Sequence, residues 1–121
     1  MSLPNSDDEI LFLHNPRCSK SRATKELLDA SGVAYVERQY LEEPLGAAEL
    51  RDLGTRLGLE PKAWTRSGEA EYAEQGLSST SGADELIDAI AKAPKLMQRP
   101  IVVRGKRAKI GRPPEDVREL F

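Results

Sequence analysis

Glu9 to His14 (EILFLH) is a short apolar run that stops at Asn15-Pro16, and from Ser19 onward apolar residues recur at helical spacing. The run has strand length, and Asn-Pro turns a chain out of a strand. Ala23, Leu27 and Leu28 lie on one side of the expected helix. Ser31-Gly32 ends it, because glycine suits the left-handed position after a helix C-cap. Val33 to Leu41 (VAYVERQYL) reads as a second strand, which Pro44 breaks. Strand, helix, strand requires a crossover, so the two strands are expected to pair in parallel.

The rest of the chain completes one architecture. Ala47, Leu50, Leu53 and Leu57 recur at helical spacing, and Gly58 closes that helix. Lys62 to Gly82 reads as short helices and loops, and Ala83 to Ala93 as a further helix carrying Leu86, Ile87 and Ile90. Ile101 to Val103 is a strand after Pro100, and Gly105-Lys106 turns it into Arg107 to Ile110. Pro113-Pro114 opens a last helix. The order is β-α-β, a helical stretch, then β-β-α. A four-stranded mixed sheet flanked by helices accommodates it, in a thioredoxin-like α/β arrangement. A single domain spans 1–121, with an inserted helical lobe at about 45–93.

With 121 residues, 39% hydrophobic and 31% charged, the chain has enough core for one domain and is not of disordered composition. No apolar run approaches the ~18 residues of a membrane helix. Met1 to Glu9 is polar and acidic and lacks the features of a signal peptide. One cysteine permits no internal disulfide, and one histidine leaves few metal-ligand sets, so no metal is expected. The expected location is the cytoplasm, where a lone thiol stays reduced.

Charge is unevenly spread. Leu41 to Ala93 holds 11 acidic and 5 basic residues, whereas Pro94 to Arg112 holds 7 basic residues and no acidic one. Two readings of the basic run stand: a solvated hairpin face, or an anion site built from arginines next to prolines and glycine. A nucleic-acid surface is not expected, because no aromatic residue interleaves with the run and net charge is −2.

Cys18 falls where the first loop enters the first helix. Unpaired N–H groups and the positive dipole end favour a thiolate there. Arg17, Lys20 and Arg22 add positive charge, and the hydroxyls of Ser19 and Ser21 are candidate donors to the sulfur. A buried structural cysteine is the alternative. The same turn attracts oxyanions. A thiolate meets an oxyanion only where fixed cations neutralise the pair, and arginine does so best. His14 caps the strand end, assists the thiolate or orders the loop; a metal role lacks partner ligands.

His14-Asn15-Pro16-Arg17-Cys18-Ser19-Lys20-Ser21-Arg22 resembles the HNPxCxxSR signature of the glutaredoxin-coupled arsenate reductase (ArsC) family, in the form carried by a housekeeping bacterial subgroup. Gln98 to Val103 resembles that family's RPIVV strand, and Ile110 to Glu115 its GRPxE turn. The resemblance covers about Ile10 to Leu120. It implies a thioredoxin-like fold and a three-arginine oxyanion site: Cys18 as nucleophile, Arg66, Arg99 and Arg112 around the oxyanion, and Pro100 as the cis-proline beside the thiol. His14, Asn15, Ser21 and Arg22 support the loop. It further implies arsenate reduction with glutathione as co-substrate and glutaredoxin as partner, and no bound cofactor. Ser21 stands where a dithiol motif has its second cysteine, so the reductant must be external. A monothiol oxidoreductase acting on another substrate, such as a glutathione adduct, remains the alternative. So does a redox regulator of the Spx type, though its cysteine pair is missing here.

Overall fold

The computed structural model describes residues 3–121. Four strands form one sheet: β1 (Ile10–His14), β2 (Val36–Gln39), β3 (Ile101–Arg104) and β4 (Arg107–Ile110), in the order β2-β1-β3-β4. β1 runs parallel to β2 and antiparallel to β3, and β3 is antiparallel to β4. This is the mixed, thioredoxin-like α/β sheet expected from the element order.

Every residue of β1 is buried, because the strand is paired on both sides and covered on both faces. Alternation then divides its side chains. Leu11 and Leu13 pack with Ile101 and Val103 against the helices between β2 and β3. Ile10 and Phe12 pack with Val102, Val117 and Leu120 on the opposite face. His14 follows in the same alternation and stacks on Phe12, with ring centroids 4.7 Å apart. Its ring is thereby directed beneath α1 (Ser19–Ala30). That helix buries Ser21, Thr24 and Leu28, not the Ala23, Leu27 and Leu28 face expected from apolar spacing. A polar side chain occupies the inner face because His14 lies there to receive it.

Between β2 and β3 come α2 (Ala47–Leu57), a 3-10 turn at Pro61–Trp64, α3 (Ala70–Glu74), α4 (Ala83–Lys92) and a 3-10 turn at Pro94–Leu96. Trp64 is fully buried and lies against Gly54; a Cβ there would come within 3.2 Å of the indole. Arg38 anchors the region to β2. It is buried, donates to Glu49 Oε2 at 2.8 Å and also reaches the carbonyls of Glu43 and Pro44. The stretch carrying Thr65 pairs with Met97 in an antiparallel bridge, with Arg66 N–H on Leu96 O and Gln98 N–H on Trp64 O.

Two expected elements differ. The second strand is Val36–Gln39, not Val33 to Leu41. β1 leaves the sheet after His14, so Tyr40 and Leu41 have no strand to pair with, and Glu42 and Glu43 turn back onto Gln39 O. The terminal helix, Pro114–Leu120, is of the 3-10 type. Its buried residues, Val117 and Leu120, are three apart, the spacing that stacks on one face of such a helix.

Candidate active site

The site is assembled where β1 hands over to α1. Asn15 shapes the loop: its carbonyl accepts from Cys18 N–H and its Oδ1 from Arg17 N–H, each at 3.0 Å. Cys18 is the N-cap residue of α1, with extended backbone, and is half-buried. Ser21 holds the loop from inside. Its Oγ accepts from Asn15 N–H at 3.0 Å and lies 2.6 Å from His14 Nδ1. Burial keeps the His14 imidazole below its ordinary pKa, outweighing the raising effect of Glu37, while Lys25 and Arg22 lower it further. A neutral ring with an unprotonated Nδ1 accepts from the Ser21 hydroxyl, which completes both polar groups.

The Ser21 hydroxyl is therefore engaged with His14 and Asn15 and is not directed at the sulfur, a correction to the expectation above. The Ser21 contribution to Cys18 is its backbone amide. Burial pushes the Cys18 thiol up, but the backbone amides of Ser21 and Lys20 and the guanidinium of Arg99 together pull it below its ordinary value. His14 acts on the loop through Ser21. Arg22 turns its Nη1 onto the carbonyl of Pro16 at 2.9 Å and so braces the loop.

The three candidate arginines come from three other segments. Arg99 lies beside Cys18 and precedes Pro100, and the Arg99–Pro100 peptide bond is cis. The Arg112–Pro113 bond is also cis, which the sequence did not announce. Arg112 donates from Nη1 to Arg99 O at 3.1 Å. Gly111 makes this approach possible. Its N–H bonds Pro100 O at 2.9 Å, and a Cβ at this position would sit 2.7 Å from Thr24 Oγ1 and 2.9 Å from Pro100 Cγ. Arg66 and Arg112 line one cleft with Gln98 and Glu69. Cys18 is outside that lining, and Arg99 connects the two places. Arg66 is ion-paired with Glu69, so part of its charge is already answered within the protein.

Three residues escaped the sequence reading. Glu69 belongs to the acidic lobe and gave no sign of facing an arginine. Gln98 and Tyr40 each carry a buried oxygen, Oε1 and Oη, with no hydrogen-bond partner among the described residues. Arg99 Nε is in the same condition. Tyr40 looked like an ordinary aromatic at the end of a strand. Among the described residues, no cluster of three or more histidine, cysteine or acidic side chains is arranged to hold a metal, and no helix is long and apolar enough to cross a membrane.

The sequence profile of the ArsC family matches residues 13–120, nearly the whole chain. The chain belongs to the ArsC family. It is 47% identical over 114 residues to the uncharacterized protein YfgD of Escherichia coli strain K12, covering 93% of this chain and 96% of that one. It is 41% identical over 115 residues to an arsenate reductase of Neisseria meningitidis serogroup B, covering 93% and 98%. The arsenate reductase of Vibrio cholerae has a similar structure, with a TM-score of 0.89 at 43% identity and coverage of 93% and 98%. The matched residues include both the cysteine loop and the late basic segment of this chain.

Proposed function

We propose that this chain is an arsenate reductase in which Cys18 is the nucleophile, glutathione the co-substrate and a glutaredoxin the partner, working in the cytoplasm. The observation that carries the reading is the thiol itself. Cys18 sits at a helix N-terminus with its pKa lowered by two backbone amides and Arg99, and Arg112 is tied to the Arg99 backbone. Relatives named arsenate reductase support the choice of oxyanion.

The thiolate attacks arsenic(V) of a dihydrogen arsenate ion. An S–As bond forms, and one As–O bond breaks. The departing oxygen takes up a proton and leaves as water. Arg99, Arg112 and Arg66 offset the negative charge that thiolate and oxyanion bring together. Glutathione then attacks the arsenic of this adduct and displaces a second water. The glutaredoxin thiol takes the glutathionyl sulfur, two electrons pass to arsenic, and hydrolysis of the remaining S–As bond frees arsenite and Cys18. In sum, one arsenate and two thiols give one arsenite, one disulfide and one water. The chain contains no second cysteine, so the disulfide forms on the external thiols.

The test is a coupled assay with arsenate, glutathione, a glutaredoxin, glutathione reductase and NADPH, run on the wild type and on Cys18→Ser. Arsenate-dependent NADPH loss that disappears in Cys18→Ser is the expected result. No turnover with a Cys18 that still alkylates readily rejects arsenate reduction and favours a monothiol oxidoreductase acting on glutathione adducts, for which the serine at position 21 is the supporting observation.

A further inference from the structure

We propose that the Tyr40 phenol is an additional ligand of the bound oxyanion, a neutral hydrogen-bond donor working beside the Arg99 guanidinium. The proposal rests on the reading of Cys18 and Arg99 as parts of an oxyanion site.

Tyr40 follows β2 directly and is 1% exposed. Its ring is part of the core against the lobe, a role that phenylalanine fills equally well. Its hydroxyl has no such explanation. A buried tyrosine hydroxyl ordinarily finds an acceptor for its proton, and here Oη has no partner at full hydrogen-bond geometry among the described residues. The neighbours identify what it faces. Arg99, Cys18 and Glu69 act on the phenol through their charges, and the Asn15 side-chain amide acts on its oxygen by a hydrogen-bond contact that lowers it, which leaves the O–H proton itself without an acceptor. These are the nucleophile, the adjacent cation, the loop-shaping amide and the carboxylate of the cleft. Arg99 Nε, a donor with no acceptor capacity, is buried and unpartnered in the same neighbourhood. Two neighbouring donors without acceptors, one charged and one neutral, are complementary to a ligand that carries several acceptor oxygens on one centre. A tetrahedral oxyanion has that form.

The protonation state agrees with a donor. Burial pushes the phenol up to about 12, against the lowering effects of Arg99 and Asn15. Tyr40 therefore keeps its proton through neutral and mildly alkaline pH. It adds a contact to the anion without adding charge, and it does not compete for the proton carried off by the leaving oxygen.

The experiment uses inorganic phosphate as a non-reactive tetrahedral probe. Its protection of Cys18 against iodoacetamide is titrated in the wild type, Tyr40→Phe and Arg99→Gln, each normalised to that protein's own unprotected rate. Loss of one hydrogen bond to a charged group is expected to raise the half-protecting concentration in Tyr40→Phe about tenfold to a hundredfold. An unchanged concentration in Tyr40→Phe, with protection lost in Arg99→Gln, overturns the role of Tyr40 and leaves the oxyanion site standing. No protection of the wild type by phosphate or by arsenate overturns the oxyanion site and Tyr40 together. A second measurement keeps the native fold. With 3-fluorotyrosine incorporated, the phenols become stronger donors and phosphate binding tightens; a constant identical to that of the unlabelled protein overturns the proposal.

Discussion

Replacing Ser21 by alanine removes one oxygen from a fully buried position and should cost far more than its size suggests. The hydroxyl serves two groups, the Asn15 N–H at 3.0 Å and His14 Nδ1 at 2.6 Å. Alanine leaves both without a partner. A buried polar group orphaned in this way costs about 1–3 kcal/mol. His14 is only 4% exposed and takes the larger share, while half-buried Asn15 falls near the lower end because water reaches it. The expected loss is about 2–4 kcal/mol in total, a large part of the stability of a domain this size. Urea unfolding at pH 7 measures it, as a lower midpoint at an unchanged slope. The same substitution loosens the Asn15 turn that sets Cys18 on the helix. The pH midpoint of iodoacetamide alkylation should therefore rise toward that of a free thiol. A destabilisation below about 0.5 kcal/mol, the range of ordinary surface changes, would refute the view that Ser21 is the internal brace of the loop.

Three further outcomes are expected. Arg99→Gln removes the cation that acts on Cys18, so the thiol pKa rises; an alkylation profile identical to wild type would disconnect Arg99 from the sulfur. Because the folded state holds His14 below its ordinary value of about 6.5, the unfolded chain binds the proton first, and stability falls as pH drops through that value. Urea midpoints between pH 7 and pH 5 should fall in the wild type and fall less in His14→Gln, whereas losses tied to the lowered carboxyls of Glu37 and Glu49 begin only at more acid pH. Gly111→Ala places a Cβ against Thr24 Oγ1 and Pro100 Cγ, and overpacking of this kind typically costs about 1–3 kcal/mol; thermal unfolding reads the loss, and coupled turnover should fall further because Arg112 moves with residue 111.

Much of the site could be read from residue order, for identifiable reasons. An apolar run ending in Asn-Pro, followed by a helical pattern, is a local signal, and it fixes where Cys18 lies without knowledge of the rest of the chain. The mixed sheet follows from the same logic, since a crossover forces the parallel pair and a two-residue turn the antiparallel one. What failed was contingent on partners distant in sequence. The end of β2 depends on where β1 departs, not on the β-branched content of Val33 to Leu41. The inner face of α1 depends on a histidine across the gap, so Ser21 was assigned to the wrong neighbour. Glu69 meets Arg66 through the local fold of the lobe, and Tyr40 comes near Cys18 and Arg99 because β2 lies beside β1; neither residue type in its own segment announces that. The basic run is divided: Arg99 acts on Cys18 and Arg112 binds the Arg99 carbonyl, whereas Arg104 braces the carbonyls of Asp7 and Leu120 and Lys109 forms an exposed ion pair with Glu119.

The short bridge between Thr65 and Met97 bears on selectivity. Arg66 N–H and Gln98 N–H both belong to that backbone pairing, so the chain positions that launch Arg66 and Arg99 are registered against each other by main-chain bonds. The distance between those two launch points is set by the main-chain bonds of a single antiparallel bridge, rather than by a pair of docked surfaces. On the proposed reading of Arg66 and Arg99 as oxyanion ligands, such a frame works as a gauge: an ion of one radius meets both arms at once, and a smaller or flatter one reaches them only in turn.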